Sequence, residues 1–250
     1  MKVRKNDMLI LLWQEVYKLL LRKSSWIILL ITFILPLALI TFYQPYQSES
    51  ALVTFANLMF LYQIFIVVYG ALIFANEYAM GTIRPLLSRR FSRLQVFTSK
   101  IIVALAYGLS IMIVATLSVL IAKLLFHITV GPHFCKNLIS YGVSSFAPSV
   151  LVLGMVLLVV NIVRSSGAAI ALGVAFTLGI NIVTAASQFL VSKAELLKWN
   201  PFNILLGTNQ FSYDVTSQTH LTLINVIIGL IVYLILFYGI AFVIFNKRNV

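Results

Sequence analysis

The sequence predicts an all-α integral membrane fold: six transmembrane helices behind an N-terminal amphipathic elbow helix, with both termini in the cytoplasm. Three observations predict it. Of the 250 residues, 61% are hydrophobic and only 10% are charged, whereas a soluble domain carries about a quarter charged residues. Six stretches without Asp, Glu, Lys or Arg are long enough to cross a bilayer, which takes about 20 apolar residues in helical form because hydrocarbon satisfies no unpaired backbone group. The 18 Lys and Arg residues gather in alternate connections between those stretches, as the positive-inside rule requires. The net charge of +12 therefore records topology. It does not describe a nucleic-acid surface, because the basic residues sit at the ends of apolar runs and not on one polar face.

Residues 1–23 form the elbow. Met8, Leu12, Val16, Leu19 and Leu20 recur at three- and four-residue steps, with Asp7, Glu15, Lys18 and Arg22 on an adjoining face. That pattern predicts a helix lying in the inner headgroup layer, anchored by Trp13 and Trp26. A cleavable signal peptide is disfavoured by the 23 residues ahead of the first long apolar run. The spans fall near 26–43, 52–75, 101–124, 147–163, 167–190 and 222–245, in one domain over 1–250. Fourteen basic residues lie on one side, in the elbow, the 76–100 connection, Arg164 and the C-terminus, against Lys123, Lys136, Lys193 and Lys198 on the other. Pro36 is read as a kink in the first span and Pro148 as the start of the fourth helix.

In the fifth span Gly167, Ala171, Ala175 and Gly179 recur at four-residue steps. Small residues let helices approach closely, so this stripe is expected to face another helix, of this chain first and of a second copy otherwise. The outer segment 191–221 mixes apolar and polar residues around Pro201 and is expected to form short helices in the outer headgroup layer. Trp199, Pro201 and Phe202 there are candidates for an extracellular gate, or for plain interfacial anchors.

The most informative stretch is the cytoplasmic segment 76–100. Pro85 disfavours helix at Arg84 and suits the first turn of a new one. Ser92 with Gln95 three residues on makes a capping box where the third long helix begins. The segment thus reads as a break, a short basic helix and a fresh start, although a solvated positive-inside loop accounts for the charges alone.

The run Asn76-Glu77, Gly81-Thr82-Ile83-Arg84, Leu87-Ser88-Arg89, then Ser92-Arg93 and Ser99-Lys100 resembles the type-2 permeases of ATP-binding-cassette (ABC) exporters. The likeness is greatest to the small bacterial kind tied to lantibiotic immunity, bacitracin resistance and amphipathic-peptide export. Arg89-Arg90 stands where that pattern has Arg-Pro. The resemblance implies that the short helix docks in a cleft of a separate ATPase subunit. Glu77, Gly81, Thr82 and Arg84 would be its structural core; Pro85, Leu86, Leu87 and Phe91, flanked by Arg89, Arg90 and Arg93, would carry the coupling. It also implies pairing with a second copy or a related permease, and ATP with Mg²⁺ on the partner alone.

The chain itself fits that division. No G-x-x-x-x-G-K-[ST] loop occurs, and no span carries a central Asp, Glu, Lys, Arg or His, which ion-coupled transporters and intramembrane hydrolases need. No cofactor, metal, catalytic residue or nucleic-acid partner is expected on this chain. The partners are the ATPase, a second permease, the bilayer and an amphipathic or hydrophobic substrate. The expected function is a permease exporting such a substrate, for instance a peptide antimicrobial or toxin, from a bacterial plasma membrane. The alternatives are a non-transporting immunity or sensor protein that binds a peptide, and a membrane-embedded lipid enzyme.

Overall fold

The computed structural model describes residues 5–43, 50–80, 91–163, 165–193 and 195–247. Its long helices are α1 (Lys5–Leu21), α2 (Lys23–Tyr43), α3 (Ser50–Ala79), α4 (Arg93–Leu125), α5 (Phe134–Val163), α6 (Ser166–Lys193) and α9 (Leu223–Lys247). Between α6 and α9 lie two short helices, α7 (Pro201–Gly207) and α8 (Thr216–Thr219), with 3₁₀ turns at Glu195–Trp199 and Thr208–Phe211. Five helices among the described residues are long and apolar enough to cross a membrane, and α6, bent by 42° between Ser166–Ile180 and Ile182–Phe189, makes a sixth. The chain is a multi-pass membrane protein.

α3 is the central helix and packs on α2, α4, α5 and α6. Its buried residues include Phe55, Tyr62, Ile66, Tyr69 and Phe74. Hydrogen bonds between spans set the register. Ser145 Oγ donates to Met59 O at 3.2 Å and Tyr78 OH to Asn161 Oδ1 at 2.7 Å, so α3 and α5 run parallel. Tyr107 OH donates to Ser25 O at 2.8 Å and Ser118 Oγ to Phe33 O at 2.5 Å, so α2 and α4 run parallel too. Tyr238 OH on Val150 O at 2.9 Å and Asn161 Nδ2 on Ala241 O at 3.3 Å do the same for α9 and α5. Alternate spans therefore share a direction, as a chain crossing back and forth must.

Three expectations change. The helix of the fourth span, α5, begins at Phe134, and Pro148 lies buried inside it. Residues 134–147 are too polar to score as a span, but Phe134, Leu138, Ser144 and Ser145 face the bundle. In α1, Glu15 does not sit on an outward polar face. It is buried beside Leu11, while Leu12, Val16 and Leu19 pack on the core and Leu9, Trp13, Tyr17 and Leu21 are exposed, the arrangement of a helix with lipid on its outer side.

The small-residue stripe of α6 is likewise not its contact face within this chain. Gly167, Ala171 and Ala175 are exposed, and a Cβ on Gly179 would meet no atom within 4 Å. The inward row is Ala169, Gly173, Thr177, Thr184 and Ser187. Steps of four advance about 400° on a 3.6-residue helix, so a strict four-residue stripe winds off any one face, whereas mixed threes and fours stay on it. A Cβ at Gly173 would sit 2.8 Å from Val68 Cγ2 and 3.2 Å from Val68 Cα, which is backbone and cannot turn aside. Gly173→Leu is therefore expected to lower the thermal unfolding midpoint in detergent, at an overpacking cost of about 1–3 kcal/mol or more, while Gly179→Leu leaves it unchanged. Equal midpoints for the two variants would show that α6 packs differently.

Candidate coupling site

The helix starting at Arg93 owes its position to its cap. Ser92 Oγ accepts from Gln95 N–H at 3.3 Å, and Gln95 Oε1 accepts from Ser92 N–H at 2.9 Å, closing the capping box. The helix so begun carries Lys100 two turns in, and there it meets the last turn of α3 and the face of α1.

At that junction four charges close a ring. Lys100 Nζ lies 2.7 Å from Glu77 Oε1 and 3.1 Å from Glu15 Oε2. Lys18 Nζ lies 2.8 Å from both Glu15 Oε1 and Glu77 Oε1. The Lys100 side chain is 1% exposed, those of Glu15 and Glu77 are 5% and 6%, and only Lys18, at 40%, reaches outward. Two carboxylates and two ammonium groups cancel, which is what allows them to be buried: an unpaired ion in low dielectric costs several kcal/mol. Partial burial opposes the charge on Lys18, but the Glu77 and Glu15 carboxylates more than offset it and hold its pKa above the ordinary lysine value. Its share of the stabilisation is thus complete at neutral pH and is lost only as pH climbs through that raised value.

The ring joins α1, the end of α3 and the start of α4, so it grips both ends of the segment that leaves α3 and returns as α4. Further ties surround it. Tyr78 bonds Asn161, which is fully buried and bonds Ala241. Arg93 Nη1 donates to the Asn246 carbonyl of α9. Phe97 sits 5.5 Å from the Phe74 ring, 5.4 Å from Phe242 and 5.5 Å from Phe245, centroid to centroid. Ser25 Oγ donates to Leu19 O and Arg22 O at 2.5 and 2.6 Å, fixing the corner between α1 and α2. The contacts tie α1, the end of α3 and the start of α4 to one another at both ends of the connecting segment.

Of the residues singled out from sequence, Glu77 lies in the ring, bonded to Lys18 and Lys100. Gly81, Thr82, Arg84, Pro85, Leu86, Leu87, Arg89 and Arg90 lie outside the described residues. Phe91 is half-buried and packs against the chain's own core at the approach to α4. Trp199 is exposed and its carbonyl accepts from Tyr233 OH at 2.8 Å; Pro201 opens α7 behind the Asn200 cap, and Phe202 is half-buried. The sequence places Lys100 in the basic connection 76–100 and Glu15 on a polar face of the elbow, and both are buried. A signal existed: the chain has only six Asp and Glu, so two of them beside membrane spans call for partners. Among the described residues no three His, Cys, Asp or Glu come together as a metal site.

A family model described as "ABC-2 family transporter protein" matches residues 11–184. A curated relative, the uncharacterized protein YhcI of Bacillus subtilis (strain 168), is 26% identical over 224 residues, covering 82% of this chain and 70% of its own. The matched range takes in the ion ring and both ends of the connecting segment.

Proposed function

The chain belongs to the ABC-2 transporter family and is a membrane permease component of an ABC transporter; from that premise we propose that it exports an amphipathic or hydrophobic substrate using ATP hydrolysed on a separate subunit. The observation that carries this reading is the buried ring of Glu15, Lys18, Glu77 and Lys100, which makes the two ends of segment 81–90 and the elbow helix one mechanical unit. A partner ATPase docked on that segment moves α3 and α4 as it closes on ATP, and the spans open a path outward. The span interiors lack charge, which suits a substrate carrying much apolar surface and opposes an ion, since a bare ion there would lack compensating groups. A second permease, identical or related, completes the pathway.

The test is co-purification: the affinity-tagged chain should bring down an ABC ATPase from its own cells, and deletion should sensitise those cells to an amphipathic peptide antimicrobial. An isolated chain with no ATPase, in cells whose only changed tolerance is to an ion, overturns the proposal. The side on which the segment lies is checked with the native cysteine. Cys135 is exposed in the first turn of α5, so a membrane-impermeant maleimide should label it in intact cells and should miss a cysteine placed at Ser88 of a Cys135→Ser chain. Labelling of both from outside excludes this topology.

A further inference from the structure

Two pockets that share lining residues lie between segment 195–222 and mid-helix residues of α3, α5 and α6, away from the ion ring. The smaller, of about 80 Å³, lies between α3, α5, α6 and α7, and its polar lining includes Gln63, Ser149, Thr177 and Asn209. A single water needs only about 10–15 Å³ by this measure, so the space exceeds a one-water void several times over. The larger is an open groove of about 280 Å³ between α5, α6 and α7, walled by Met155, Leu172, Phe176, Val183 and Phe202. Gly179 keeps part of that groove clear, since no atom lies within 4 Å of where its Cβ would be. Val152 and Ile180 line both pockets, so the polar space and the apolar one share a wall.

The polar pocket is not built for its own sake. Ser149 and Thr177 spend their hydroxyl protons on the carbonyls of Ser145 and Gly173, at 2.7 Å each, and keep oxygen lone pairs to offer. Gln63 and Asn209 have no side-chain hydrogen-bond partner among the described residues. Each carboxamide brings two donors and an acceptor, and a glutamine within a membrane span loses free energy if these stay unmet. No Asp, Glu, Lys, Arg or His lines either space. A charged head group would therefore surrender its hydration there without a countercharge.

We propose that the two pockets form one binding site for an amphipathic molecule with an uncharged, hydrogen-bonding head, an amide or a hydroxyl, and an apolar tail. Its head occupies the space between Gln63 and Asn209, and its tail passes Val152 and Ile180 into the groove. The site rests on the permease reading and gives it a substrate class. α7, which contributes Leu205 to the polar side and Phe202 to the apolar one, covers both. Phe202, a candidate gate or interfacial anchor by sequence, lies at the tail end of this site.

The experiment measures binding of decanamide and decanoate to the purified full chain in lipid nanodiscs. Decanamide should bind about tenfold or more tightly than decanoate, in keeping with hydrogen bonds gained by one and desolvation suffered by the other. Gln63→Met with Asn209→Leu should abolish the preference, and Gly179→Leu should weaken both ligands. Thermal midpoints identify any variant that fails to fold; Asn209→Leu alone, at a half-buried position outside the spans, should then still reduce the preference. Equal binding of the two probes, or a preference that survives in folded variants, overturns the site and leaves the groove to membrane lipid. Binding is read on the chain without an ATPase, so this failure leaves the permease reading standing, and a missing ATPase defeats that reading without touching the binding result.

Discussion

Lys100→Met should cost the protein most of its folded yield and drop its thermal midpoint sharply in detergent. Lys100 Nζ is bonded to two carboxylates, Glu77 at 2.7 Å and Glu15 at 3.1 Å, and its side chain is 1% exposed. Methionine fills nearly the same volume, so packing is not what is lost. What remains is two buried carboxylates facing the one half-exposed ammonium of Lys18. Breaking a buried ion pair from one side costs about 3–5 kcal/mol, because the surviving charge keeps its desolvation penalty. Adding Glu77→Gln to Lys100→Met should recover much of that loss, since Glu15 and Lys18 then balance alone. The double-mutant cycle reads the coupling directly. If Lys100→Met melts like the parent, the ring is an incidental surface cluster and the mechanical unit it forms does not exist. If the paired variant is stable yet no longer couples ATP hydrolysis to export, the ring is needed for force transmission as well as for folding.

Much of the architecture was legible because the bilayer is a harsh filter. The charge-free runs found α2, α3 and α9 to within a few residues, and Ser92 with Gln95 marked the start of α4. What escaped was whatever tertiary contact decides. The first half of α5 carries Lys136, Asn137 and several serines, so hydropathy begins the span late although Ser144 and Ser145 point inward and bond across to Ser212 and Met59. The inward row of α6 follows from which side meets Val68, and no stripe of small residues reveals that. The ion ring joins residues 59 and 85 positions apart, Lys18 with Glu77 and Glu15 with Lys100. Each of its members reads in isolation as an ordinary surface charge near a helix end. Of the four, the family pattern marks Glu77 for a role, and it contains Lys100 in Ser99-Lys100 without pairing the two. Gln63 carries no charge and so gives no signal of the kind an ionisable group in a span gives, yet an uncharged amide is the kind of residue a neutral substrate would need.

Leu86→Ala with Leu87→Ala should strip the ATPase from the purified permease while the permease itself still inserts and folds. The two ends of segment 81–90 are fixed by Glu77 and Lys100 in the ring, by Tyr78 on Asn161, and by the Ser92 cap, and none of these contacts involves Leu86 or Leu87. Phe91 is left unaltered, because it packs against the chain's own core and its loss would confuse docking with stability. Burying a leucine side chain in a partner is worth about 1.5–3 kcal/mol. Two together make about 3–6 kcal/mol, which at about 1.4 kcal/mol per decade weakens docking about 10²- to 10⁴-fold. Co-purified ATPase should therefore vanish, export should fail, and the thermal midpoint should stay within error of the parent. Phe91→Ala should do the reverse, lowering the midpoint while retaining part of the ATPase. A Leu86→Ala, Leu87→Ala chain that keeps both its ATPase and its export would reduce segment 81–90 to a basic connection, and the force would have to reach α3 and α4 by another route.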